Sequence, residues 1–84
     1  MTTGVQFTGT VAAGTSHRWF TWGWPVGQHV VWYMMPTSVA PGAPAVDWDV
    51  AVERANATQC TYWITVTNLT GAAVTFEGRY AILS

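Results

Sequence analysis

The sequence predicts an all-β fold: one small antiparallel domain of about six strands, packed as a two-sheet sandwich over residues 1–84. Threonine, valine, tryptophan and tyrosine dominate its segments, and polar and apolar residues alternate repeatedly along them. Glycine or proline interrupts the chain about every ten to fifteen residues, which suits short strands. With 50% hydrophobic and 8% charged residues, the composition is that of a single compact domain.

The predicted strands are bounded by turn residues and prolines. In chain order they cover about residues 6–12, 16–22, 28–35, 46–53, 59–67 and 72–83. Turns or loops are predicted at 13–15, 23–27, 56–58 and 68–71. Because three prolines stiffen the segment 36–44, we expect it to cross between the two sheets as an extended connection.

The first three strands differ in their patterns. The first places Val5, Phe7 and Val11 on one side and polar residues on the other, as in a half-buried strand. The second is rich in aromatic residues and stops before Pro25, which lacks a backbone donor. The third is apolar on both faces, which predicts a central strand covered on each side.

The last three strands separate a core face from a solvent face. The residues predicted to point inward are Val46, Trp48, Val50, Val52, Cys60, Tyr62, Ile64, Val66, Val74, Phe76, Tyr80 and Ile82. Strands of this number and spacing suggest an immunoglobulin-like or jelly-roll-like sandwich, with a small barrel as the alternative. The stretch 62–70 resembles the closing strands of immunoglobulin-like sandwiches over one hairpin only.

The charged residues exclude some partners. The chain has three arginines, no lysine and four acidic residues, and these arginines are scattered, so we expect no binding to nucleic acid. A net charge of −1 gives weak repulsion between copies, which favours a homo-oligomer. Cys60 is the only cysteine, so a disulfide cannot form within the chain.

No targeting segment is expected. The N-terminal residues lack a basic segment followed by an apolar stretch, so we predict no signal peptide. The longest apolar run, 30–36, is far shorter than the roughly 20 residues that span a bilayer. We therefore expect a soluble chain, and its compartment stays open between the cytoplasm and export by another route.

A register argument isolates one tryptophan. If the fourth and fifth strands form a hairpin about Ala57 with both apolar faces on the same side, Trp63 pairs with Ala51 on the outer face. Asp49 and Glu53 then flank Trp63, and the same reasoning for the next hairpin puts Thr75 or Glu77 on its other side. The sequence therefore predicts an indole lying over a small residue among carboxylates and hydroxyls.

Such an indole has two main interpretations. An aromatic platform with nearby carboxylates matches the C–H face and the hydroxyl rim of a sugar. The same indole suits a subunit interface, where tryptophan is also favoured. A register error that buries Trp63 is the third possibility. Trp22 and Trp24, predicted at a loop tip, are further candidates for the same recognition surface or for a plug at the end of the sandwich.

Metal binding and catalysis have weak support. Asp47 and Asp49 provide only two carboxylates for a calcium ion that prefers six to eight oxygens. His29 and Met35 are too far apart along a strand to share a metal ion. Cys60 is predicted to point inward, where a thiol is an inert small hydrophobe. We therefore expect no cofactor, no metal and no enzymatic activity.

The leading expectation is a non-enzymatic, homo-oligomeric binding module of lectin-like type. Its ligand would be carbohydrate, and the predicted ligand-binding residues are Trp63, Asp49, Glu53, Trp22 and Trp24. The alternative is a structural or assembly module in which the same aromatic residues form subunit interfaces, as in a cap, a fibre segment or a trimerising tail.

Overall fold

The computed structural model describes residues 1–83, which form two three-stranded antiparallel sheets. The strands are β1 (Thr2–Val11), β2 (Ser16–Pro25), β3 (Val30–Pro36), β4 (Val46–Glu53), β5 (Gln59–Asn68) and β6 (Val74–Ile82). The order β1-β6-β3 defines the β6 sheet, and the order β2-β5-β4 defines the β5 sheet. The predicted sandwich of six strands is confirmed, and the described strands do not close into a barrel.

The core lies between the two sheets and is largely aromatic. Its buried residues are Val11, Trp32, Met34, Cys60, Tyr62, Ile64, Val66 and Phe76. Trp24 reaches across the sandwich to Trp32 and Tyr80, with ring centroids 5.4 and 5.3 Å apart and nearly perpendicular planes. Edge-to-face contacts of this kind add to the stabilisation from burial, because the edge of one ring meets the face of the next.

Gly78 makes room for one of these rings. It lies in the middle strand of the β6 sheet, opposite Phe7 of β1. A side-chain carbon on Gly78 would lie 2.5 Å from the Phe7 ring. Phe7 in turn packs against Trp19 and Phe76, at centroid distances of 5.8 and 5.9 Å. The Phe7 ring therefore packs directly on the backbone of residue 78, which is accessible because glycine has no side chain.

The connection from β5 to β6 changes sheets at Asn68, which is buried. Its Nδ2 donates hydrogen bonds to the carbonyls of Val11 and Ala72, at 2.9 and 2.7 Å. Its Oδ1 accepts from the backbone N–H and the hydroxyl of Thr70, both at 2.8 Å. The bond to Val11 ties this corner to β1, and the other three close the turn that follows β5. β5 and β6 belong to different sheets, so the predicted pairing between them is wrong.

The central position predicted for the third strand is also wrong. β3 is an edge strand that pairs only with β6, and its outward-pointing Val31 and Tyr33 are half exposed. The second face of this apolar run is therefore only partly covered, since the Tyr33 ring contacts Trp48 of β4. In β1, Gln6 is the extra residue of a β-bulge, because Val5 and Phe7 on either side of it pair with consecutive residues of β6. The bulge reverses the alternation, so Val5 faces outward and not inward as predicted.

β4 has the predicted bounds and alternation, but its burial differs. Val50 and Val52 pair with Ile64 and Tyr62 on the inner side, yet they are 40% and 65% exposed. Because β4 is an edge strand, this end of its inner face is open to solvent. Among residues 1–83 no helix is long and apolar enough to cross a membrane.

Candidate functional site

The predicted pairing of β4 with β5 is confirmed at every position. Trp63 lies opposite Ala51, with Asp49 opposite Thr65 in the preceding row and Glu53 opposite Thr61 in the following one. An Asx turn closes the hairpin, because Asn56 Oδ1 accepts hydrogen bonds from the backbone N–H groups of residues 58 and 59, at 2.9 and 2.8 Å. The turn and the alternation together determine this register.

The other flank of Trp63 differs from the prediction. Thr75 and Glu77 lie on β6 in the other sheet, and β2 lies beside β5 instead. Phe20 of β2 is the cross-strand neighbour of Trp63. The row across the β5 sheet is therefore Phe20, Trp63 and Ala51.

Trp63 is held in place by its neighbours. Its Nε1–H donates a hydrogen bond of 2.8 Å to Glu53 Oε1. The Phe20 ring stacks on the indole with centroids 4.9 Å apart and an interplanar angle of 27°. The Arg18 guanidinium carbon lies 5.9 Å from the indole centroid, within the range of a cation–π contact. Trp63 is consequently half-buried, and it is an anchored member of an aromatic group.

The exposed rings of this group belong to β2. Phe20 is 55% exposed and Trp22 is 71% exposed, with their ring centroids 5.6 Å apart. Trp22 sits at a bulge in β2, where Gly23 has a positive φ of 80°. A glycine in this conformation is typical of such bulges, which redirect side chains on a strand. Trp63, Phe20 and Trp22 together form what we call the aromatic strip.

Trp24 is separated from the aromatic strip. The predicted loop at 23–27 begins three residues later than expected, because β2 continues through the bulge to Pro25. Trp24 is half-buried and packs into the core, with its Nε1–H donating to Thr21 Oγ1 at 3.1 Å. The structure thus places Trp22 and Trp24 on opposite sides of the β5 sheet and does not bring them together.

Charged groups border the aromatic strip. Arg18 and Asp49 lie on either side of Thr65 in one row, and Arg18 Nε donates to Thr65 Oγ1 at 3.4 Å. Within residues 1–83 the one side-chain ion pair is Arg79 with Glu77, on the β6 sheet. Neither Arg18 nor Asp49 therefore has an ionic partner among the described residues. A flat face with exposed rings and uncommitted charges can bind a ligand that is both apolar and polar.

Two members of this face, Phe20 and Arg18, were not among the predicted site residues. The sequence contained a signal for them, because both residues stand at alternate positions with Trp22 along β2 and so point to the same side of that strand. That spacing becomes informative only when β2 is known to pair with β5, since the pairing puts all three on the face of Trp63.

A separate, concave surface lies on the outer face of the β6 sheet. It is an open groove of about 560 Å³. Half-exposed Val5, Val31 and Tyr33 line it together with the Arg79–Glu77 ion pair, whose nitrogen and oxygen are 2.9 Å apart. The two charged residues that line the groove, Glu77 and Arg79, are paired with each other.

Cys60 and Tyr62 lie side by side on the inner face of β5. The pKa of Tyr62 is raised to about 12. Burial is the largest cause, and a hydrogen bond and a charge interaction with Cys60 add to it. Cys60 is buried, as predicted. Across residues 1–83, His, Cys, Asp and Glu do not come together in groups of three or more that would suit a metal ion.

The fold and this face define a small two-sheet β-sandwich with an aromatic outer surface. Comparisons with protein-family models, with characterised proteins and with solved structures found no significant match to the chain.

Proposed function

We propose that this protein is a non-enzymatic, lectin-like binding module that takes carbohydrate on the outer face of the β5 sheet. The observation that carries the proposal is the adjacency of two exposed rings, Phe20 and Trp22, to the anchored indole of Trp63. Sugar rings present C–H groups that pack on aromatic faces, so neighbouring rings can hold neighbouring parts of one saccharide.

The border of the aromatic strip supports the same ligand class. A carboxylate accepts hydrogen bonds from sugar hydroxyls, and a guanidinium donates to their oxygens. Asp49 is exposed, and Arg18 lies on the opposite side of the same row. Glu53 already accepts from Trp63, so one of its oxygens is committed to holding the indole. Arg18 and Asp49 would therefore supply most of the polar recognition.

A glycan array followed by calorimetric titration tests the proposal. We expect the wild type to bind at least one class of saccharide, and Trp22→Ala or Phe20→Ala to weaken that binding by roughly tenfold, since a buried aromatic contact contributes more than about 1 kcal/mol. Trp63→Ala should weaken it similarly, because it removes the ring that supports Phe20.

Tyr33→Ala is the matched control. Tyr33 is an exposed aromatic residue on the β6 sheet, away from the aromatic strip, so its loss should leave saccharide affinity unchanged. The proposal fails if the wild type binds none of a diverse set of glycans. It also fails if Trp22→Ala and Phe20→Ala bind as well as the wild type.

An assembly module is the second candidate. Exposed apolar side chains on the outer faces of both sheets favour it: Phe20 and Trp22 on one, Val31 and Tyr33 on the other. In this function the aromatic residues form contacts between copies in a cap, a fibre segment or a trimerising tail. The glycan array distinguishes the two functions, because an assembly module would bind none of the saccharides; in that case Trp22→Ala should still lower the assembled mass measured by light scattering.

A further inference from the structure

We propose that two copies of this chain dimerise face to face through the outer face of the β5 sheet, about a twofold axis parallel to β5. The partner is a second copy of the same chain. The pairing does not depend on sugar binding, and only its consequence for ligand access rests on the proposed function.

The face is organised in rows of three residues, one from each strand. One row is Arg18, Thr65 and Asp49, and the next is Phe20, Trp63 and Ala51. In the first row a cation and an anion stand at opposite ends. In the second row the large ring of Phe20 and the methyl group of Ala51 stand at opposite ends. The two ends of each row are therefore complementary in the reversed copy, and the central residues, Thr65 and Trp63, face their own copies.

A twofold axis parallel to β5 produces that reversal. It places β2 of one copy over β4 of the other while each row stays at the same height. Arg18 then meets Asp49 of the second copy, and Phe20 meets Ala51 of the second copy. Each contact occurs twice, so one arrangement forms two ion pairs and two ring-to-methyl contacts.

The charges disfavour the other simple twofold arrangement. An axis in the plane of the face but perpendicular to β5 would place β4 over β4. The outward residues of β4 include Asp47, Asp49 and Glu53, so that arrangement would bring carboxylates together. Like charges across an interface are costly, whereas opposite charges select the register of docking.

Docking would use charges that lack ionic partners in the single chain. Among residues 1–83, neither Arg18 nor Asp49 takes part in an ion pair, so the pairs between copies would be gained without breaking others. The exposed rings of Phe20 and Trp22 would be removed from water at the same time. Because the dimer covers these rings, a saccharide and the second copy would compete for this face.

Charge reversal tests the interface. Sedimentation velocity should show a dimer for the wild type, in equilibrium with a monomer on dilution. Arg18→Asp alone and Asp49→Arg alone each bring like charges together, so each should raise the dimer dissociation constant roughly tenfold or more. The double variant Arg18→Asp/Asp49→Arg restores both pairs in reversed order and should recover the dimer.

The control is Arg79→Gln, which alters an arginine on the β6 sheet and should leave the dimer unchanged. Circular dichroism confirms that each variant is folded, as expected for exposed sites. The interface is wrong if the wild type stays monomeric at every concentration at which it remains in solution. It is also wrong if the single variants dimerise normally, or if the double variant does not recover.

The sugar experiment gives a separate result. If a saccharide identified on the array shifts the wild type towards the monomer, the two ligands share one face as proposed. If the dimer shows the charge-reversal pattern but the array shows no binding, the carbohydrate proposal alone fails. A bound saccharide that leaves the dimer intact overturns the proposed competition.

Discussion

The phenyl ring of Phe20 stacks on the indole of Trp63, with ring centroids 4.9 Å apart. The contact joins β2 to β5 on the outer face of their sheet, and Glu53 holds the indole from the other side through a hydrogen bond of 2.8 Å. Both neighbours therefore fix Trp63, and the more exposed rings of Phe20 and Trp22 are the ones that face solvent.

The hydrogen bond from Trp63 to Glu53 should be measurable in stability. Glu53→Ala removes the acceptor of the indole N–H at an exposed site where water can partly replace it, so we expect the free energy of unfolding to fall by about 0.5–1 kcal/mol. Glu53→Gln keeps an oxygen acceptor and should lose less than about half of that. Urea unfolding provides the measurement, and equal losses in the two variants would show that charge matters here and the hydrogen bond does not.

Gly78 should not tolerate a methyl group. In Gly78→Ala the added carbon would meet the Phe7 ring at 2.5 Å, and Trp19 and Phe76 restrict the movement of that ring. We expect a loss of about 1–3 kcal/mol of stability. Gly27→Ala is the control, because nothing lies within 4 Å of the added carbon there. Thermal unfolding should separate the two variants, and similar melting temperatures would contradict the packing argument.

Asn68 should be irreplaceable at the corner between the sheets. Asn68→Asp can still accept from Thr70, but it cannot donate to the carbonyls of Val11 and Ala72. Its negative charge would be buried beside those oxygens, so the loss should exceed about 3 kcal/mol. Asn56→Asp changes the exposed Asx turn of the β4–β5 hairpin, where the acceptor is kept, and serves as the comparison. The role assigned to Asn68 is wrong if both variants unfold at the same denaturant concentration.

Tyr62 should make the protein less stable in strong base. Its pKa is about 12 in the folded chain and about 10 in the unfolded chain. Above pH 10 the unfolded state loses this proton while the folded state keeps it, so the free energy of unfolding should fall by about 2–3 kcal/mol by pH 12. The contribution is complete below pH 10.

Tyr62→Phe removes that pH dependence. Its stability should decline less steeply than that of the wild type between pH 10 and 12, whatever its stability at neutral pH. Val74→Ala, a buried change without a titrating group, should lose stability but retain the wild-type slope. Identical slopes in the wild type and Tyr62→Phe would refute the assignment of the raised pKa to folding.

Some features of the fold and the candidate site could be predicted from local sequence. The alternation in β4 and β5 and the short turn between them predicted each partner from Trp48 with Val66 to Glu53 with Thr61, because a hairpin has one register that keeps both apolar faces together. The same reasoning put Trp63 on the outer face between two carboxylates. It also identified the inward residues of β6, of which Val74 and Phe76 are buried.

Other features required the packed molecule. Alternation tells which face a residue occupies but not which strand lies beside it, so β6 was expected next to Trp63 where β2 is found. The difference depends on Asn68 and its bond to the distant carbonyl of Val11, and on bulges at Gln6 and Trp22 that redirect side chains within their strands. These are contacts between segments far apart in the chain. For that reason local pattern located the tryptophan, whereas tertiary packing decided that Phe20 and Arg18 would share its face and that Trp24 would enter the core.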